Sequence, residues 1–501
     1  MQNSFLSGLQ NETNFTMTEN GAVAHKSTLS AVLDMFALGG AYRKRSDEDC
    51  ILLFKNALEE DEVLALKCLF YLRDCRGGQG ERRFFRVCYK WLAQKHADVA
   101  RRNFELISEY GRYDDVIYTL VGTPLENDAL EFIKNQLALD LECKTPSLLA
   151  KWLPSENASA AKTKKMGNII REYLGMTHRE YRKTLSILRE RINLLERLMS
   201  TNRWDEIEFD KIPSKAGLVY RNAFARRDVI AKKYETFAKD ETTKVNAKTL
   251  NPVDIANKAF GYNIGDVDRA MLQKYWDNQI DYYGGRQENG IAIVDVSASM
   301  SGQPMNAAVS MGAYIAERGH GPFANHFITF SSNPQLVKFE GVDIVDKFRR
   351  CRQADWGMNT NIEAVFNMML NVALKNNTPA EDMPERLYIF SDMEFDGCMT
   401  YGAVSRGRWG DYGRNTITGG QAGVNTLLES IAKKWEAYGY KLPKVIFWNL
   451  DARQNNIPAL GGRFSYVSGF SMNMVECILS GKDGVDLMLE KLNSERYEAI
   501  R

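Results

Sequence analysis

The stretch Gly290-Ile-Ala-Ile-Val-Asp-Val-Ser-Ala-Ser-Met300 sets one carboxylate and two hydroxyls, Asp295, Ser297 and Ser299, at alternate positions after an apolar run. Ile291 to Val294 reads as a buried parallel strand, because helices on both faces of such a strand remove the need for polar alternation. Small residues follow, then a helical pattern from about Pro304 to Arg318, stopped by Gly319. Open α/β sheets gather their ligands at the carboxyl ends of strands. Three hard oxygens there make a divalent-cation site, and Mg²⁺ suits a set of few protein oxygens with retained waters. The competing reading is a strand end leading into a helix cap, since serine also caps helices.

Asp295-x-Ser297-x-Ser299 resembles the metal-ion-dependent adhesion site of von Willebrand factor A domains. The resemblance implies two further ligands from later loops. Gly357-Met-Asn-Thr360-Asn-Ile-Glu is similar to the threonine loop, and Ile389-Phe-Ser-Asp392 to the final aspartate at another strand end. By this resemblance Asp295 acts largely through water, Ser297, Ser299 and Thr360 bind directly, and Asp392 holds a water. The family usually carries two glycines before the threonine, where this chain has Met358 and Asn359.

The elements that must position these residues alternate. Strands are expected at 290–295, 324–330, 336–340, 386–391 and 444–450, and helices at 304–318, 343–352, 361–375, 424–438 and 471–480. That alternation predicts a doubly wound, Rossmann-like sheet over 286–501. Between Asp392 and Val424 lies a long Gly-rich insert containing Arg406-Gly-Arg-Trp-Gly-Asp-Tyr-Gly-Arg414.

The region before it reads differently. Residues 1–25 are polar and are expected to form a flexible tail. From 26 to 285 strand signals are nearly absent, and helical patterns recur at 61–74, 81–92, 99–109, 113–120, 126–138 and 146–152. A long amphipathic helix is expected over 179–199, a basic aromatic one through Tyr220 to Tyr234, and two more at 252–260 and 265–278. Helix pairs without strands point to a HEAT-like helical-repeat domain with degenerate repeats. Arg76-Gly-Gly-Gln-Gly80 follows no strand, so it is neither a dinucleotide fingerprint nor a P-loop. It reads as a tight inter-helix turn, with a phosphate cradle at the next helix N-terminus as the alternative.

Composition excludes several classes. The chain has 501 residues, a net charge of +1 and 26% charged residues, ordinary values for globular protein. No apolar run reaches the roughly 20 residues of a membrane span, and no signal peptide is apparent. Eight scattered cysteines without a C-x-x-C pair read as reduced thiols, so a cytoplasmic location is expected. Charge is uneven. Lys151 to Asp240 holds 20 basic against 12 acidic residues, while Arg286 to Arg501 holds 22 against 24. A basic segment beside a slightly acidic one suggests divided roles.

At the scale of residues 30–490, the chain resembles the Ro (TROVE-type) RNA-binding proteins and a related group. That group shares phrases such as Phe70-Tyr-Leu-Arg-Asp-Cys-Arg-Gly-Gly-Gln-Gly-Glu81, Tyr110-Gly-Arg-Tyr-Asp-Asp115 and Ile212-Pro-Ser-Lys-Ala-Gly217. The resemblance implies single-stranded or misfolded RNA as a partner, with RNA ends entering a basic channel of a helical ring. Basic and aromatic residues interleave at Tyr173–Lys183 and Tyr220–Tyr234, a chemistry that suits phosphates and splayed bases. The candidate RNA contacts are Lys162, Lys164, Lys165, Arg179, Arg182, Lys183, Arg221, Arg226, Arg227, Arg406 and Arg408. The bland alternative places these cations on solvated helix faces and the aromatics in the core. The expected function is a non-catalytic RNA-binding scaffold with a Mg²⁺ site for partner docking. The alternative is a protein–protein assembly module that uses the metal site without RNA. An enzyme is not expected. A haloacid-dehalogenase-type phosphatase would want an Asp or Thr where Ser297 stands and a lysine in a later loop. A serine hydrolase would want Gly-x-Ser-x-Gly. Glu394 and Asp396 add carboxylates near the expected metal and read as loop solubilisers, with a second cation as the alternative.

Overall fold

A computed structural model describes residues 14–330, 333–352, 360–397 and 426–501. The chain begins with two short antiparallel strands, Phe15–Met17 (β1) and Val23–His25 (β2), joined by the turn Thr18-Glu-Asn-Gly21. A flexible tail is expected over 1–25; from residue 14 onward the structure has this strand pair instead. His25 explains its place. The backbone of His25 exchanges two hydrogen bonds with Ile457, and its ring meets Glu429 at 3.0 Å. The polar composition that suggests a tail instead supplies hydrogen bonds to a distant part of the chain.

Helices then dominate up to residue 277. Those of eight residues or more are Ala31–Leu38 (α1), Asp47–Glu60 (α2), Glu62–Arg73 (α3), Arg82–Lys95 (α4), Tyr113–Leu120 (α5) and Glu126–Glu142 (α6). Ala161–Tyr173 (α7), His178–Arg191 (α8), Ser214–Arg226 (α9), Asp228–Lys239 (α10), Pro252–Ala259 (α11) and Asp266–Asp277 (α12) follow. Several of their starts carry side-chain caps. Ser46 accepts from Asp49 N, and Thr177 with Glu180 forms a capping box at α8.

Three expected helices are interrupted. The amphipathic run 179–199 divides at Asn193, which takes a left-handed conformation (φ 47°) that asparagine tolerates better than other side chains. Residues 99–109 break into short helical pieces around Asn103. The basic run 220–234 divides at Arg227, whose extended backbone separates α9 from α10. Amphipathic periodicity carries across such breaks because both pieces bury the same face, so the pattern alone hides them.

The second half is a mixed six-stranded sheet. Its strands are Gly290–Asp295 (β3), His326–Phe330 (β4), Gln335–Lys338 (β5), Arg386–Ser391 (β6), Lys444–Asn449 (β7) and Phe464–Ser468 (β8). The order is β5-β4-β3-β6-β7-β8, and every pairing is parallel except β4 with β5. β3 is buried along its whole length, as its apolar run requires. Gln303–Arg318 (α13), Ile344–Cys351 (α14), Ile362–Asn376 (α15), Leu427–Ala437 (α16) and Gly484–Leu492 (α17) accompany the sheet. α13 lies close on β3. A Cβ at Gly312 would stand 2.4 Å from a Val294 methyl, so only glycine fits there. β8 and α17 are absent from the sequence expectations. Phe464-Ser-Tyr-Val-Ser468 carries too few apolar residues to mark a strand buried on both faces.

The two halves share one apolar core, and their seam is polar. α1 packs on β8, and Ser468 Oγ donates to Phe36 O at 2.8 Å. The loop 76–80 closes the end of α3. Gly78 N and Gly80 N donate to Asp74 O, and Gln79 N donates to Tyr71 O. A Cβ at Gly78 would stand 1.9 Å from Tyr71 O. Its other faces hold the sheet half. Gln79 Oε1 accepts from Ser471 N at 3.1 Å, and buried Asp74 accepts from Arg496 Nη2 at 2.8 Å. Three amides of this loop are therefore taken up by the helix end, which favours the inter-helix turn over the phosphate cradle. A second apolar cluster, separate from the main core, joins α5, α6, α7 and α8. Among the described residues no helix is long and apolar enough to cross a membrane.

Candidate cation site and basic cavity

Chain order places the candidate ligands. β4 follows β3 on one side, and β6 flanks β3 on the other, so the strand order reverses at the β3–β6 pair. Such a switch point opens a crevice at the carboxyl ends of the two strands. Register sets Val294 opposite Phe390, so Asp295 and Ser391 end side by side. Ser391 Oγ donates to Asp295 Oδ2 at 2.6 Å, and Ser297 N donates to Asp295 Oδ1 at 2.9 Å. The Ser297 and Ser299 hydroxyls lie 2.9 Å apart. Asp392 enters from the end of β6, and its Oδ2 accepts from Arg453 Nη2 at 2.6 Å. The next residue, Met393, is buried with φ at 65°, a costly backbone for a branchless but bulky side chain, and such strain concentrates at functional turns. Thr360 is tied to the segment that follows Asp392. Its backbone N–H donates to Asp396 Oδ2 at 3.1 Å.

Asp295, Ser297, Thr360 and Asp392 are all buried, at 0–2% exposure, while Ser299 is half-buried. Burial pushes the Asp295 carboxyl up to about 7, and the nearby Asp392 carboxylate adds to the rise. Burial also pushes Glu394 up to about 7. Carboxyls raised in this way lack sufficient positive charge around them. The donor set is all oxygen, it sits at a strand-end crevice, and Arg453 supplies one positive charge to it. These residues fit a hard divalent cation such as Mg²⁺. Asp295, Ser297, Ser299, Thr360 and Asp392 would hold it, and it would supply the missing positive charge.

Glu394 and Asp396 are not solubilisers. Glu394 is 1% exposed and accepts from Asn456 Nδ2 and Glu19 N. Asp396 orients Thr360. Sequence reasoning also missed Ser391, Arg453 and Asn20, whose amide lies 3.2 Å from Thr360 Oγ1. Ser391 was within the quoted strand end. Arg453 follows β7, the strand next to β6, and lies where the neighbouring strand-end loop must fall. Nothing in the local sequence marks Asn20.

The nucleic-acid candidates scatter. Lys162, Lys164, Lys165, Arg179 and Lys183 are exposed on α7 and α8. Lys162 Nζ stands 5.4 Å over the Tyr118 ring. Arg182 lines a cleft of about 700 Å³. Arg226 is exposed, and Arg227 lies over Trp204 and donates to Asn202. Arg221 is half-buried and paired with Asp268 at 3.4 Å, a structural ion pair rather than a free cation. Arg406 and Arg408 lie outside the described residues. Part of the interleaved aromatic reading is corrected too, although Tyr173 is exposed and Tyr220 half-buried. Tyr181, Phe224 and Tyr234 are at most 1% exposed and belong to the core, because helical spacing turns them inward while the cations face out.

A larger cavity, of about 1100 Å³, opens between the helices and the sheet half. Its lining includes Arg43, Arg73, Arg76, Arg82, Arg83, Arg112, Lys151, Lys211, Lys215 and Lys248 against Glu81, Glu196 and Glu208. None of the candidates named from sequence lines it. Behind the wall, Asp114 and Asp115 anchor two of the lining arginines, Arg73 and Arg112, and also Arg86, which is not on the lining. Asp115 accepts from Arg73 Nε at 2.8 Å and Arg86 Nε at 2.6 Å, and Asp114 from Arg112 Nη2 at 2.7 Å. Arg82 has no ion-pair partner among the described residues. Burial first, then Arg112 and Arg86, push its pKa below the usual range. Nη1 of Arg43 is buried without a hydrogen-bond partner. Arg112 lies 3.9 Å over the Trp152 ring, which also lines the cavity. The signal that could have found this wall was the density of arginine in Arg73–Arg83, read here as a helical hairpin.

The profile of a domain of unknown function, DUF2828, matches residues 18–118 and 140–284, and that of a second, DUF7788, matches 289–499. The uncharacterized protein L728 of Acanthamoeba polyphaga mimivirus is 30% identical over 515 residues, which cover 94% of this chain and 85% of that protein. The chain belongs to the family of the mimivirus protein L728, with a DUF2828 region followed by a DUF7788 region.

Proposed function

We propose that this protein is a non-catalytic RNA-binding scaffold of the Ro type, in which HEAT-like helices precede a von Willebrand factor A domain with a Mg²⁺-binding adhesion site. The observation that carries the RNA reading is the cavity of about 1100 Å³, whose lining sets ten arginines and lysines against three glutamates. A wall of this sign attracts a polyphosphate chain. Arg82, with like charges beside it, gains most from a phosphate. Trp152 and Tyr113 on the same lining offer flat faces to unstacked bases. The cavity replaces the exposed α7 and α8 cations as the main RNA contact. The A-domain reading is supported by the strand order, with Asp295-x-Ser297-x-Ser299 at its switch point, and by the Asp392 carboxylate, which adds to the rise of the Asp295 pKa.

The test is binding of a fluorescent single-stranded RNA across a salt series, with wild type and the double variant Arg82→Glu/Arg112→Glu. Submicromolar binding that weakens with salt and is lost in the variant is the expected outcome. Equal binding by both proteins would move RNA off the cavity, and no binding by wild type at low salt would end the RNA reading. In that event the second reading, a protein–protein assembly module, is favoured by the oxygen set at the strand ends. An acidic side chain of a partner would then complete the cation's coordination.

A further inference from the structure

The N-terminal turn lies on the strand-end oxygens, and it is held there by more than one bond. Thr18 Oγ1 donates to Phe395 O at 2.6 Å, Glu19 N donates to Glu394 Oε2 at 2.7 Å, and Gly397 N donates to Asn20 O at 3.0 Å. These bonds lock the turn to the segment 394–397, which itself orients Thr360 through Asp396. Two side chains of the turn then reach toward the ligands. Asn20 Nδ2 donates to Glu394 O at 2.6 Å and to Thr360 Oγ1 at 3.2 Å. Glu19 Oε2 accepts from Arg453 Nη1 at 2.8 Å, and the other end of the same guanidinium holds Asp392.

We infer that the turn Thr18–Gly21 is a working part of the cation site, with Asn20 as a positioning residue for Thr360 and Glu19 as an outer carboxylate acting through Arg453. The inference rests on the cation reading proposed above. Its physical basis is twofold. By donating to Thr360 Oγ1, Asn20 takes one lone pair of that oxygen and fixes the rotamer, so that the other lone pair has a set direction. Partners that fix a ligand's orientation typically change metal affinity by about 10- to 100-fold. Glu19 acts by charge. With Glu19 present, Arg453 is shared between two carboxylates. Without it, the guanidinium settles wholly on Asp392 and opposes a second cation there. Since binding free energies are reciprocal, a cation that is held better with the turn in place must in turn hold the turn better.

The experiment is Mn²⁺ titration of the full chain, read by electron paramagnetic resonance, together with amide exchange of residues 14–25 in Mg²⁺ and in EDTA. Asn20→Ala is expected to weaken Mn²⁺ by about tenfold. The isosteric Glu19→Gln is expected to weaken it severalfold, and Glu19→Asp, which keeps the charge, to recover most of that loss. In wild type, Mg²⁺ should slow exchange over 14–25. This last measurement needs no variant and stands even if Asn20→Ala folds poorly. Unchanged Mn²⁺ affinity in Asn20→Ala and Glu19→Gln, or exchange over 14–25 that is indifferent to or faster with Mg²⁺, would overturn the inference while leaving the cation site intact. Failure of wild type itself to bind Mn²⁺ would instead remove the cation reading and this inference with it.

Discussion

The cavity wall and the strand-end site are charged clefts of opposite sign, and they manage their charge in different ways. At the wall, cations outnumber acids on the lining, yet two of them, Arg73 and Arg112, lean back on Asp115 and Asp114, which are buried behind the surface. Each of those carboxylates serves at least two guanidiniums. Their charge is thus met inside the protein, and Arg82 is left over to face outward. At the strand ends the excess is negative and lies in the interior. Asp295 has hydroxyl and amide donors but no cation on it, and its raised pKa records that shortfall. A buried carboxylate with a guanidinium on either side contributes to the fold. A buried carboxylate beside another, with only one guanidinium between them, costs stability until something positive arrives.

The sharpest way to break this contrast is to remove one carboxylate from each region. Asp115→Ala strips the anion from Arg73, which is only 3% exposed, and leaves it buried without a partner. Breaking such a pair should cost about 3–5 kcal/mol. Urea unfolding followed by circular dichroism measures it, and a loss below about 1 kcal/mol would mean that water reaches Arg73 freely. Next in size is the effect of charge reversal on the lining. Arg82→Glu/Arg112→Glu should reduce single-stranded RNA affinity by about 10- to 100-fold and lower the salt slope by roughly two. Folding should survive Arg82→Glu alone, because Arg82 supports no ion pair among the described residues.

Much of this organisation was legible in the sequence, and the reason is local. β3 with Asp295, Ser297 and Ser299 combines an apolar run with three oxygens at fixed spacing, and both signals lie within a single strand and its first turn. The helices of the first half announce themselves by period. What escaped was long-range. The strand pair at 14–25 gains its order from Ile457 and 394–397, hundreds of residues away, so its polar composition looks like a tail. Asp74, Gly78 and Asp115 were singled out as family phrases and turned out to build the seam and the wall. Their roles depend on Arg496, Asn473 and Arg86, whose positions only the tertiary fold supplies. The basic, aromatic stretches were legible as a pattern, but not which of their aromatics belong to the core. A helix carrying Tyr181 and Arg182 in succession has no choice but to bury one and expose the other.

At the other pole of the contrast, Asp295→Asn should behave unlike Asp115→Ala. Asp295 has a folded pKa of about 7 against an ordinary 3.8. Between those values the native chain holds a proton that the unfolded chain has lost, so stability contributed by this group falls as pH rises from about 4 to 7. Asparagine carries no such charge. In EDTA at neutral pH the variant should match or exceed wild type by roughly 1 kcal/mol, and the fall between pH 4 and 7 should flatten. Added Mg²⁺ should raise the melting temperature of wild type and not that of Asp295→Asn. A variant that is several kcal/mol less stable in EDTA would show that Asp295 is already compensated, and the contrast between the two clefts would collapse.

The smallest effect is expected where the sequence pointed first. Lys164 and Lys165 are exposed on α7, outside the cavity lining, and no carboxylate pairs with either among the described residues. Lys164→Glu/Lys165→Glu should change unfolding free energy by less than about 0.5 kcal/mol. If RNA enters the cavity, a short single strand should bind this variant within about threefold of wild type, since exposed charges farther than a Debye length of roughly 10 Å are screened. A longer RNA that leaves the cavity and runs over α7 should lose more, and more at low salt than at high. Comparing a short and a long oligonucleotide on the same variant therefore separates a contact inside the wall from one on the outer helices. A short strand that loses tenfold or more would return the main contact to α7 and make the cavity a bystander.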